Sequence, residues 1–196
     1  MKLEHAFEVP ASPQRTLALL LDADQVVRCM PGAELVEVVD DRTWRARLSV
    51  KLGPVGLDFL NDIRLVDVDE AGGVVRMEVA GRDTRGKGAA NAAVTSRLVP
   101  AGAGTRVEMD TDLRFSGQAA QLGRPNVVQD VSARLVGQFA DCLRVQLDGA
   151  TSEEDRREAL HRAERPVSGL SLVLAAVASA IRRLLRPGKR VRGEGT

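Results

Sequence analysis

From about residue 34 to 115 this chain alternates apolar and polar side chains with period two, and a helical segment over 118–148 follows. Consecutive short strands on tight turns pair as an antiparallel meander with one face to bury. The next element available to cover that face is the long helix. The economical fold is therefore α+β, a curved antiparallel sheet wrapped around a C-terminal helix. The strands read as 34–40, 43–52, 57–69, and three more centred on Met77, Val94 and Thr111. In the second, Trp44, Ala46, Leu48, Val50 and Leu52 oppose Arg45, Arg47, Ser49 and Lys51. The parity of 57–69 shifts near Val66, the mark of a bulge. Ahead of the meander, residues 2–9 alternate as a further strand, placing Leu3, His5, Phe7 and Val9 on one face. Ser12 and Pro13 open a short helix, and a second at 24–29 stops at Pro31-Gly32. In the long helix Val128, Val131, Leu135, Phe139 and Cys142 form a narrow apolar stripe, with Pro125 near its start or at a kink.

Composition removes several functional classes. Of 196 residues, 44% are hydrophobic and 28 basic side chains nearly cancel 27 acidic ones, a globular balance. No apolar run reaches the roughly 18 residues of a membrane-spanning helix. Charges stand where a secretory leader has its apolar core, so no export signal is expected. Two cysteines, Cys29 and Cys142, are too few for a disulfide scaffold or a zinc site. They are expected to be small buried hydrophobes in a reducing, cytosolic setting. The chain has no Tyr and one Trp, and no basic stripe with interleaved aromatics, so nucleic-acid binding is not expected. Its two histidines, His5 and His161, do not make a metal site, and no catalytic residue is assigned. "GRDTRGKG" is glycine-rich but lacks phosphate-loop spacing and precedes a strand, so it reads as a hairpin with basic rims. Asp110 and Asp112 fall on the outer, solvated face of their strand.

The order of elements resembles the helix-grip fold of the START and Bet v 1-like superfamily. More specifically, "CMPGAELVEV" (29–38), "VKLGPVGL" (50–57), "GRDTRGKGAANAAV" (81–94) and "GQAAQLGRPNVVQDVSARLVGQFADCL" (117–143) resemble the family of the carbon monoxide dehydrogenase G subunit. Leu60 and Asn61 stand where that family often has an aromatic residue and a glycine. The resemblance implies a non-catalytic accessory protein of molybdenum carbon monoxide dehydrogenase or a related hydroxylase, associated with attaching the enzyme to the inner face of the membrane. It supplies no molybdenum, iron–sulfur or flavin ligands.

Residues 1–148 thus form a helix-grip body, 149–168 a charged linker and 169–196 a tail. Residues 150–196 hold ten basic and six acidic side chains, a net of +4, which leaves eighteen against twenty-one in 1–149, a net of −3. On a helical wheel Leu170, Val173, Leu174, Val177, Ile181, Leu184 and Leu185 gather on one side, with Leu172 the misfit. Arg182, Arg183 and Arg186 lie opposite, and Lys189, Arg190 and Arg192 trail behind. As helix, the uncharged stretch 166–181 would extend only about 24 Å, too short to span a bilayer. An amphipathic basic helix lying on an anionic membrane surface is expected, with docking on the body or a partner as the alternative.

A curved sheet with small inward residues such as Gly81, Ala90 and Ala92 can leave an apolar hollow under its helix. Trp44, Leu48, Phe59, Met77, Met109, Phe115, Val131, Leu135 and Phe139 are its candidate walls. His5, Asn61 and Thr111 are candidates for hydrogen-bonding a ring carbonyl. With a membrane tail and an oxidoreductase partner, the expected cargo is a lipophilic quinone, menaquinone or ubiquinone, carried without covalent attachment at the cytoplasmic face of the membrane. Two alternatives stand beside it: a pure tether or assembly factor, and a cyclase or lyase using the same cavity with His5 as its ionisable group.

Overall fold

Alternation decides which side of each strand is covered, and turn chemistry decides where each strand ends. Both are visible in the computed structural model, which describes residues 1–52, 55–122 and 124–148. The elements run β1 (Lys2–Val9), α1 (Pro13–Leu20), α2 (Ala23–Cys29), β2 (Ala33–Asp40), β3 (Thr43–Leu52), β4 (Val55–Asp69), β5 (Val74–Asp83), β6 (Ala89–Ala101), β7 (Gly104–Ser116), α3 (Gln118–Leu122) and α4 (Pro125–Leu147). The seven strands form one antiparallel sheet in the order β1-β7-β6-β5-β4-β3-β2. The register shift in β4 falls between Leu65 and Asp67, at the residue where the alternation changes parity.

Local chemistry accounts for the helix ends. Ser12 accepts the Arg15 N–H at the start of α1, and Pro13 occupies its first turn. The Asp22 carboxylate accepts the N–H groups of Asp24 and Gln25 at the start of α2. Gly32, at φ 75°, turns the chain from α2 into β2. Pro125 lies in the first turn of α4, so the helical stretch expected at 118–148 is two helices, α3 and α4.

Two apolar clusters fill the concave side of the sheet. The larger joins Phe7, Val9, Trp44, Leu65, Val75, Leu98 and Val107 of the sheet to α1, α2 and the second half of α4 through Phe139, Ala140, Leu143 and Leu147. Phe7 and Phe139 meet edge to face at 6.1 Å. The smaller joins Val50, Leu57, Phe59 and Ala119, with Val131 and Leu135 of α4 packed against it.

The cysteines depart from expectation. Cys29 and Cys142 are buried, as a small hydrophobe would be, but they are bonded to each other, with Cα atoms 5.4 Å apart across a sequence separation of 113. Cys142 shares the inner side of α4 with Phe139 and Leu143 and faces the last residue of α2. The bond ties the second half of α4 to α2.

The convex face is a lattice of ion pairs. Arg45 reaches Glu37 and Asp62, Arg64 reaches Glu78, Arg76 reaches Asp67, and Arg97 reaches Asp110. Asp112 likewise meets Arg114, so both outward aspartates have cationic neighbours. Pairs this exposed add little stability individually, but together they neutralise the face.

Candidate functional site

The small residues of the middle strands leave the hollow that the pattern suggests. An apolar cavity of about 190 Å³ lies between the sheet and the first half of α4. Leu48 and Val50 of β3, Leu57, Phe59 and Asn61 of β4, Val79 of β5, Ala90 and Ala92 of β6, and Leu113 and Phe115 of β7 form its sheet side. Val128, Val131 and Leu135 close it from α4. Small side chains at Ala90 and Ala92 keep the middle of the floor low. Beyond Asn61 the larger cluster closes the space.

Of the candidate walls, the structure gathers Leu48, Phe59, Phe115, Val131 and Leu135 around the cavity, with Asn61 among them. Trp44 and Phe139 belong instead to the larger cluster, and Met77 and Met109 pack against it. Trp44 is 3% exposed, and its Nε1–H has no acceptor among the described residues. Thr111 is half-buried on β7, paired in register with Leu3 and Val94, and lies outside the lining. The reading of single strands missed Val79 and Leu113, whose register partner Ala92 places them beside the hollow. It also missed Val128, one turn before Val131 on α4. The tail residues from Leu170 to Arg192, and the linker before them, lie outside the described residues.

Asn61 is the polar side chain of the lining and is 7% exposed. Its Nδ2 donates to Ala46 O at 3.2 Å and Phe59 O at 3.1 Å. Both amide hydrogens are thereby used, which fixes the orientation of the amide and leaves the acceptor, Oδ1, over Gly81. A Cβ at residue 81 would overlap that oxygen, so a glycine on β5 makes room for the amide. A ring carbonyl, itself an acceptor, gains no free donor from Asn61 as placed.

His5 lies outside the cavity lining. Its Nε2 lies 3.1 Å from Ser132 Oγ, and that hydroxyl donates to Gln129 O at 2.9 Å. Which of His5 and Ser132 donates to the other depends on the ring tautomer. Burial pushes the imidazole pKa down, which favours the neutral ring. Among the described residues no group of three or more His, Cys, Asp or Glu converges as a metal site.

The β5–β6 hairpin is held at the end of the cavity by a buried carboxylate. Asp83, 6% exposed, accepts N–H groups from Asp58 at 3.1 Å, Arg85 at 3.0 Å and Lys87 at 3.0 Å. Burial alone would push its pKa up. The backbone N–H groups of Asp58, Lys87 and Arg85, with the Lys87 ammonium, outweigh that and hold it below its ordinary value. A depressed folded-state pKa gives stability that is present above the unfolded carboxylate value, about 3.9, and is lost as pH falls through the folded one. Asp83→Asn is therefore expected to unfold more easily at pH 7 and to show a shallower acid limb than wild type. Urea midpoints measured from pH 7 down to pH 3 check this; parallel curves for the two proteins would contradict it.

Solved structures with this architecture share the fold at low identity. A conserved protein from Geobacillus kaustophilus superposes with a TM-score of 0.67 at 17% identity, covering 75% of this chain and 95% of its own. TTHA0849 from Thermus thermophilus gives 0.52 at 18% identity, covering 72% and 95%. Ara h 8.0201 gives 0.51 at 15% identity, covering 75% and 97%. The fold is the helix grip of Bet v 1-like proteins, a curved seven-stranded sheet closed by a C-terminal helix. Within that class, residues 6–148 match the carbon monoxide dehydrogenase G subunit (CoxG), and the chain belongs to this family. No curated protein matches it in sequence.

Proposed function

We propose that this protein is a non-catalytic accessory of a molybdenum carbon monoxide dehydrogenase, or a related hydroxylase, that carries a lipophilic quinone to the enzyme as electron acceptor. The quinone is menaquinone or ubiquinone. The body holds its ring in the cavity under α4, and the amphipathic segment 169–196 keeps the complex at the cytoplasmic face of the membrane. The observation that carries this reading is an apolar hollow, built from Leu, Val, Phe and Ala, in a member of a dehydrogenase-linked family. Shape and apolar burial select such a ligand; at about 0.8 kcal/mol per buried CH₂, even part of an isoprenoid chain contributes substantially. Disulfides are rare in reducing compartments, and burial of Cys29 and Cys142, 0% and 2% exposed, slows attack on the bond by soluble thiols once it has formed.

Size favours a second reading. At about 190 Å³ the cavity is smaller than the roughly 300–1,000 Å³ of typical ligand sites. A ring fits, and a polyprenyl chain follows only if the first half of α4 moves outward. A body that stays closed would be a pure tether or an assembly factor. Mass spectrometry of an organic extract from protein lacking residues 166–196 separates the two. Near one quinone per chain is expected; absence of any lipophilic ligand, with no uptake of added quinone, would leave the tether.

A further inference from the structure

Most arginines of the convex face are paired with acids. The cations at the cavity end of the sheet are not. Lys51, Arg82, Arg85 and Arg124 are exposed and Lys87 is half-buried. Among the described residues none of the five has a carboxylate within ion-pair distance. They come from four segments at this end of the sheet. Lys51 is opposite Gly56 at the end of β3, Arg82 is opposite Ala89, and Arg85 and Lys87 belong to the β5–β6 turn. Lys87 Nζ donates to Gly56 O at 3.2 Å, while Lys87 O accepts the Ala119 N–H, joining β4, the hairpin and α3. Arg124 is the N-cap residue of α4. Asp83 is held by buried N–H groups and by Lys87, Asp58 leans on Arg47 and Ser49, and Asp130 stands further along α4, which leaves the charges of Lys51, Arg82, Arg85 and Arg124 without a close acid among the described residues. The opposite end of the sheet carries Asp40, Asp41, Asp69 and Glu70 at its turns.

Beside these cations, half-buried Val55, Ala90, Phe115 and Val127 pack against the smaller apolar cluster. A half-buried apolar patch beside exposed Lys and Arg side chains matches the layering of a bilayer, with anionic headgroups outside and hydrocarbon within. We propose that the cavity end of the body is itself a contact surface for anionic lipid, distinct from the C-terminal tail, and that it turns the cavity toward the membrane. This rests on the carrier reading only for its purpose; the contact stands or falls on its own. A protein docking site is the less favoured occupant, because an acidic partner would complement the charge but leave the apolar patch unexplained.

The test uses the full chain and vesicles of phosphatidylcholine with or without phosphatidylglycerol. Arg82→Gln/Arg85→Gln/Arg124→Gln removes three rim charges and spares Lys87, which has a structural bond. Lys2→Gln/Arg15→Gln/Arg42→Gln removes three other cations that also lack ion pairs among the described residues. The rim triple is expected to bind anionic vesicles roughly 10- to 100-fold more weakly, and the control triple to stay near wild type. Amide exchange over 82–90 should slow on anionic vesicles in wild type, while 40–43 and 69–73 stay unchanged. Equal losses in the two triples, or none in the rim triple, would overturn the proposal. So would a folded rim triple that keeps its vesicles and loses the dehydrogenase, which would assign the surface to a protein partner. Extracted quinone is measured in the same preparations. A wild type that holds no quinone and still shows the rim-specific loss upholds the lipid contact and refutes the carrier reading.

Discussion

Ala92→Trp is expected to yield a folded protein whose organic extract contains no stoichiometric quinone, while membrane binding and recruitment of the dehydrogenase persist. Ala92 lies between Val79 and Leu113 on the floor of the cavity, opposite the first half of α4. An indole there takes up space that a ring would use, in a hollow of only about 190 Å³. Overfilling costs about 1–3 kcal/mol in a packed core. The cost here falls at the low end, because the space is empty. Apparent affinity for added quinone should drop by about 100-fold or more, the equivalent of losing a few buried methylenes and the ring. A folded variant that loses recruitment as fully as quinone would instead identify the body as a docking module.

Removing the disulfide is the second large effect. Cys29→Ser/Cys142→Ser is expected to lose about 2–5 kcal/mol of unfolding free energy, near the upper end because so long a loop is closed. Urea titrations of wild type with and without reductant, beside the double variant, measure it. Native wild type should resist dithiothreitol, since both sulfurs are buried, and the two wild-type curves should part only where unfolding begins. A double variant with an unchanged midpoint would mean that the core alone holds α4.

These outcomes divide along what could be read from the chain and what could not. Parity placed Leu48, Phe59, Asn61 and Phe115 on the covered side, helical spacing placed Val131 and Leu135 there, and the structure gathers all six at one cavity. The same parity holds for Trp44, Met77 and Met109, which nonetheless lie in or against the closed core. Alternation reports which face of a strand is inward, but not which stretch of it lies under which turn of a helix contributed from far along the chain. The bulge at Val66 and the helix start at Pro125 were legible because their causes are local. The Cys29–Cys142 bond was not, since proximity across so much sequence is a property of the fold. The cationic rim was hidden in part for a related reason. Arg82, Arg85 and Lys87 were legible as a hairpin with basic rims, but Lys51 and Arg124 join them only through the strand register and the start of α4. His5 faces inward as its parity requires, but its partner, Ser132, lies on the distant helix.

The disulfide also decides how the body responds to being pulled. The chain continues from Asp148 to Thr196, so any tension from its C-terminal side enters the body at the last turn of α4. There Arg144 Nε donates to Glu8 O on β1, and five residues from the helix end Cys142 is covalently joined to α2. The load therefore leaves α4 before it reaches the turns that roof the cavity. Residues 125–135 stay out of the force path, so the turns over the cavity carry no load while the other end of the same helix is held taut.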